Sequence, residues 1–320
     1  MAAFSLLAVA CSGSGGSSSS ADSDGLTTIN ISNTAIVGDE VPLVYANATN
    51  LWKKFGLKVN MINVTSSAQF AGLGAGQADI ALGGAASIEA AQKGAPEAII
   101  GSIGHVRMDF LVQGDIHKVS DLKGTTLGAS SPGSLLGAGQ QLYLQQNGLH
   151  YPGDYNIVYT SGSFAANITA LINKKTSGSF AAHPFIDTAE QGNPSLHSLV
   201  RIDQTDLGIL TANVATVNTQ WAANNKQAVT NFFKAWQDAS SEVKTHMSQA
   251  AGYLASAAKV SAPIAQAWLK DQAALDGFAP FSQSDFATTV QALSISASSV
   301  SSAQFSKCVD NSFADAAQGA

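Results

Sequence analysis

Apolar residues along this chain recur with two periods that take turns. From Thr27 to Ser32, Ile29 and Ile31 fall on one face of an extended segment, as in a half-buried strand. Val41 to Phe55 then carries Val41, Val44, Ala48, Leu51, Trp52 and Phe55 at three-and-four spacing. That predicts an amphipathic helix ended by Gly56. Lys58 to Val64 reads as a strand, and Ser66 or Ser67 caps a short helix bearing Phe70 and Leu73. An apolar strand from Ile80 to Leu82 ends at Gly83-Gly84, and a helix from about Ala86 to Lys93 stops at Gly94. Ala98 to Ile103 and Phe110 to Val112 read as further strands.

The scheme then repeats. Thr126 to Ala129 is strand-like, and Ser131-Pro132 predicts an N-cap with proline at the first helical position. That helix carries Leu135, Leu136, Leu142 and Tyr143 up to Gly148. Asn156 to Thr160 is a strand, Ser163 caps a helix with Phe164, Ile168, Leu171 and Ile172, and Phe180 to Ala182 and Ser198 to Ile202 are strands. After Asn218 the pattern is helical, with Trp221, Phe232, Phe233 and Trp236 on one apolar stripe and a capping box at Ser282 and Asp285. Strands alternating with helices imply an α/β protein with mostly parallel sheets flanked by helices, and a helical C-terminal region.

The N-terminus follows other rules. Residues 1–10 are apolar or small and far too short to span a bilayer. They resemble the end of a secretory signal peptide. Leu7-Ala8-Val9-Ala10-Cys11 resembles the lipobox of bacterial lipoproteins, which implies cleavage before Cys11 and lipid on its thiol. Residues 11–25, mostly Ser and Gly, predict a flexible tether between that anchor and the folded part.

Composition removes several functions. The net charge is −6 and only 12% of the residues are charged, with no basic stripe of the kind a nucleic-acid backbone needs. Two cysteines, Cys11 and Cys308, provide no zinc spacing, and the six histidines are scattered. Gly72 to Gly76 lacks the third glycine of a dinucleotide loop, since Gln77 stands there. Neither a phosphate loop nor a Gly-x-Ser-x-Gly elbow occurs, so neither catalysis nor a cofactor is expected.

Four blocks carry a family resemblance: Val41 to Val59, Phe70 to Ala81, Val119 to Gly128, and Val217 to Trp236. In order and spacing they resemble the binding proteins of sulfonate, taurine, nitrate and thiamine-precursor importers. The resemblance implies a two-lobed type II periplasmic-binding fold, a lobe of residues 26–113 plus 209–320, a second lobe of 114–208, and a hinge near Gln113 and Gly208. It implies a monomeric extracytoplasmic receptor that passes a small solute to the permease and ATPase of an ABC importer. Asp79 and Asp121 are expected to be structural, Asp79 bonding amides of the turn before it.

Ligands of open α/β sheets sit beyond the carboxyl ends of strands, where helix N-termini offer free amides. That rule selects Val37, the wall Gly83, Gly84 and Ala85, the loop Ser130, Ser131, Gly133 and Ser134, and Ser163; His183 is added from the strand that the resemblance places along the cleft. The expected ligand is a small organic anion, with a heteroaromatic stacked on Phe164 or Phe185 as the rival. A thiamine-pyrimidine synthase-like enzyme and a sensor module are the remaining alternatives.

Overall fold

The computed structural model describes residues 25–160, 164–271 and 277–319. In chain order its strands are β1 (Thr27–Asn33), β2 (Leu57–Asn63), β3 (Ile80–Gly83), β4 (Glu97–His105), β5 (Met108–Val112), β6 (Thr126–Ala129), β7 (Asn156–Tyr159), β8 (Gly178–Ala182), β9 (His197–Arg201) and β10 (Ala212–Asn218). They form two five-stranded sheets, ordered β2-β1-β3-β10-β4 and β7-β6-β8-β5-β9. In the first, β1 is parallel to β2 and β3, and β10 is antiparallel to β3 and β4. The second repeats this, with β5 antiparallel to β8 and β9. Each sheet is therefore mixed, with one reversed strand and helices on its faces.

Ile29 and Ile31 are fully buried, as their alternation predicts. Beneath them the helix Lys226–Thr245 buries Phe232, Phe233 and Trp236, and Trp52 stacks on Phe232 with ring centroids 5.8 Å apart. The predicted helix from Val41 to Phe55 is two pieces, Val41–Thr49 and a 3₁₀ turn Leu51–Phe55, because Asn50 adopts a left-handed φ of 56°. Asn47 Oδ1 accepts the Trp52 indole N–H at 2.6 Å across this break. Gly56, at φ 70°, ends the segment as expected.

Other expectations are corrected. Ser131 is not the N-cap of its helix, which runs Leu135–Gln146 and is capped by Ser134. Gly133, at φ 75°, turns the chain in a way a helix cannot, so the helix begins after it. The Asp79 carboxylate accepts the backbone and side-chain N–H groups of Asn30 on β1 at 2.7 and 3.0 Å, not amides of its own turn.

Two elements sit elsewhere than the sequence-based lobes imply. Phe110 to Val112 belongs to β5, which pairs with β8 and β9, so the chain leaves the first sheet between His105 and Met108 rather than near Gln113. The helix Gln283–Ser294 does start with the Ser282–Asp285 capping box, but it packs on Leu135–Gln146. One run of buried apolar side chains accordingly extends from Ile88 and Ile99 at the first sheet, through Leu135, Leu142 and Phe180 at the second, to Phe286 and Leu293. No helix among the described residues is long and apolar enough to cross a membrane.

Candidate ligand-binding site

Between the carboxyl ends of the strands of both sheets lies a cavity of about 1000 Å³. Val37, Gly83, Gly84, Ser130, Ser131, Gly133 and Ser134 all line it, so the strand-end rule brings together seven of the ten residues selected from the sequence. Ala85 does not line it: it is 1% exposed within the apolar core beside Ile88. His183 does not either, being 2% exposed with Nδ1 placed 2.5 Å from Asp187 Oδ2 one helical turn on. Ser163 and Cys11 lie outside the described residues.

The second sheet's wall is a turn feeding a helix. Ser134 Oγ donates to Ser131 O at 2.9 Å and accepts the Gly137 N–H at 3.2 Å, which fixes the first turn of Leu135–Gln146. Leu135 and Leu136, whose amides have no partner within the helix, line the cavity, and the next amide of that turn, of Gly137, is taken by Ser134. The Ser131 hydroxyl makes no hydrogen bond among the described residues, whereas Asn167 Nδ2 donates to Ser130 Oγ at 3.3 Å. Asn167 in turn accepts the Thr160 hydroxyl. Ser131 thus lines the cavity with a hydroxyl that has no partner among the described residues, and Ser134 is committed to the cap.

Apolar surface dominates the rest. Phe164 and Phe185 stand in the wall, stacked with centroids 5.4 Å apart and planes 8° from parallel. Gly84 faces Leu135 across the cleft; a Cβ there would meet Leu135 Cδ2 at 3.3 Å. Cations are few and engaged. Lys93 pairs with Glu89 at 2.6 Å, and Arg107 grips the buried Asp109 with two bonds of 2.9 Å.

The first sheet's wall holds polar groups that sequence reasoning missed. Glu40, 1% exposed, lines the cavity, and its Oε2 accepts the Val37 N–H at 2.6 Å. Asp39 beside it is buried, with Oδ1 accepting Asn213 Nδ2 at 2.8 Å and Oδ2 without a partner. Burial pushes the Asp39 carboxyl up to about 8, against the pull of the Asn213 bond. Burial, and then the neighbouring Asp39, hold Glu40 well above the usual carboxylate range. Gln69, 3% exposed, donates from Nε2 to Leu82 O at 2.6 Å and Ser32 O at 3.2 Å, which turns its Oε1 to the bare face of Gly83. Nothing local marks these three, since acidic residues opening a helix and a glutamine inside one normally face water.

Two mixed α/β sheets with a roomy cleft at their strand ends define the class of periplasmic-type ligand-binding proteins. The chain belongs to the NMT1/THI5-like family, whose model matches residues 38–250. No curated protein matches it. Among solved structures it is similar to the periplasmic aliphatic sulphonate binding protein of Escherichia coli, with 17% identity, a TM-score of 0.67, and 84% of this chain covering 86% of that one. It is similar also to the periplasmic nitrate-binding protein of Synechocystis, with 14% identity, a TM-score of 0.73, and coverage of 92% and 89%. A third is the alkanesulfonate-binding protein of Xanthomonas axonopodis bound to MOPS, with 18% identity, a TM-score of 0.67, and coverage of 82% and 90%. All three are binding proteins rather than enzymes, and at these identities they establish the fold.

Proposed function

We propose that this protein is an extracytoplasmic receptor of an ABC importer that holds an organic anion in the cavity and delivers it to the permease. The observation that carries the reading is the start of Leu135–Gln146, where Leu135 and Leu136 line the cavity beside the unbonded Ser131 hydroxyl. Amides at a helix N-terminus and a hydroxyl hold an anion without a fixed cation. Neighbours that bind sulfonates agree with that chemistry. The volume of about 1000 Å³ suits a solute with a sizeable apolar part better than nitrate.

Calorimetry against alkanesulfonates, nitrate and pyrimidines tests the assignment. Ser131→Ala should weaken sulfonate binding by about 0.5–1.5 kcal/mol through a lost hydrogen bond. Ser134→Ala should instead lower folding stability by about 1 kcal/mol through the lost cap. Denaturant titration beside calorimetry separates the two. The second reading, a heteroaromatic solute, is favoured by the parallel Phe164–Phe185 pair in the wall. Tight pyrimidine binding with no response to any sulfonate would establish it instead.

For the lobes, we place residues 25–106 and 212–271 in the first and 108–210 in the second, with the helix Gln283–Ser294 riding on the second. The sheet membership of β5 and the packing of that helix support this division. Lipid anchoring through Cys11 completes the proposal, supported by the lipobox-like segment and the Ser/Gly tether. Cys11→Ala should release the protein from the membrane fraction and end its labelling by a lipid precursor. Equal labelling of both forms would refute the anchor.

A further inference from the structure

The cavity has two chemically opposite walls. On the second sheet's side stand donors: the first-turn amides at Leu135 and Leu136 and the Ser131 hydroxyl. On the first sheet's side, beside the Lys93–Glu89 pair and the hydroxyls of Thr34, Thr65 and Thr211, two nearly buried side chains offer acceptor atoms. Gln69 is held by its amide nitrogen to two strand-end carbonyls, so only its Oε1 is offered, and that oxygen accepts no hydrogen bond among the described residues. Glycine at position 83 leaves room beside it; a Cβ would approach Oε1 to 3.0 Å. The Glu40 carboxyl faces the same space, anchored by the Val37 amide on one oxygen.

No ion pair among the described residues reaches Asp39 or Glu40. Glu40 and Gln69 are nearly buried, and Gln69 Oε1 accepts no hydrogen bond among the described residues, so these acceptors are left for a donor in the cavity to meet. An anion placed there would add a third set of acceptors. A group rich in N–H donors would satisfy Gln69 Oε1 and the Glu40 carboxyl together.

We propose that Glu40 and Gln69 form a second subsite that takes an ammonium or other N–H-donor group of the solute, which makes the ligand a zwitterion or an amino-substituted anion. This rests on the reading of the cavity as a solute site whose anion end lies at Ser131 and Leu135. The two walls then fix the ligand's direction, its nitrogen toward the first sheet and its anionic end toward the second. Asp39, held by Asn213 beside Glu40, does not line the cavity.

The test titrates the full chain by calorimetry with three probes: butanesulfonate, 4-aminobutanesulfonate and butylamine. The amino form should bind the wild type about tenfold tighter than butanesulfonate, the scale expected of one charge-assisted hydrogen-bond set. Glu40→Gln, which can still accept the Val37 amide, should bring those two affinities to within about twofold of each other. Gln69→Met should shrink the preference without inverting it. Equal affinities in the wild type, or a preference that survives Glu40→Gln, overturn the subsite while leaving the anion reading intact. Loss of the preference in Glu89→Gln rather than Glu40→Gln overturns it too, by assigning the nitrogen to the rim carboxylate. Butylamine binding that Glu40→Gln abolishes, with no response to butanesulfonate, supports the subsite and removes the anion reading. Failure of all three probes to bind overturns both.

Discussion

Raising the pH from about 4 to 8 will destabilise the ligand-free protein, and Asp39→Asn will remove much of that loss. The Asp39 carboxyl titrates near 8 in the fold and near its ordinary 3.8 when the chain is unfolded. Between those values the folded state holds a proton that the unfolded state has released, so stability falls as pH rises. Below 3.8 both states are protonated and the contribution is complete; above 8 both are ionised and it is gone. At about 1.36 kcal/mol per unit the loss is on the order of a few kcal/mol, a large part of a typical domain's margin. Glu40, raised by the same burial, acts in the same direction. Glu97, which burial pushes up to about 7, adds a smaller share over a narrower window. Asp121 and Asp154, each held low first by a backbone amide, act the other way, their contributions being lost only in acid. Urea titrations at pH 4.5, 6 and 8 measure the slope. Asp39→Asn keeps an oxygen for the Asn213 amide and should flatten it. Parallel slopes in wild type and variant would show that the Asp39 carboxyl does not titrate as its burial requires.

The same burial links stability to binding. A positively charged nitrogen at Glu40 favours the ionised carboxyl and should draw a proton off as it binds. Solute affinity and proton release would then be two readings of one buried pair, and calorimetry in buffers of different ionisation heat would separate them.

What the sequence disclosed depended on whether a feature is local. The stop at Gly56, the capping box at Ser282 and Asp285, and the alternation of Ile29 with Ile31 are decided within a few residues, and each appears as read. The strand-end rule selected Ser131, Ser134, Gly83 and Gly84, and all four line the cavity, because topology alone places helix N-termini at a cleft. Residues 110–112 announced a strand, yet whether it joins the first or second sheet depends on pairing with β8 and β9, about 70 to 90 residues away. Residues 283–294 announced a helix, but its docking on Leu135–Gln146 depends on shape some 140 residues back. Gln69 and Glu40 were least legible. Gln69 is buried only because β1 and β3 end beside one another, leaving Ser32 O and Leu82 O for its amide to bridge. Glu40 sits in the acidic first turn of a segment, the place where a carboxylate is normally solvated and ordinary.

Gly84→Val will cost the largest part of solute affinity that a single substitution away from the polar groups can remove. Gly84 is where the first sheet's strand end meets the second sheet's helix: a Cβ there would stand 3.3 Å from Leu135 Cδ2 and 3.5 Å from Leu135 Cβ. Its backbone needs no left-handed conformation, so the residue is glycine for closeness alone. One methyl forces Leu135 to give by a few tenths of an ångström, and the bulk of valine should press it further and displace the start of the helix. Leu135 is the first residue of that helix, so moving it carries away the first-turn amides proposed to hold the anion. Losing their alignment should weaken binding about 10- to 100-fold, or about 1.4–2.8 kcal/mol. Folding stability should change less, since each wall keeps its own sheet. Leu135→Ala opens the same space from the other side, so the double variant should recover much of the affinity that Gly84→Val loses. That coupling is measured by a double-mutant cycle. Additive losses in the cycle, with no recovery, would mean that Gly84 and Leu135 do not meet when the solute is bound.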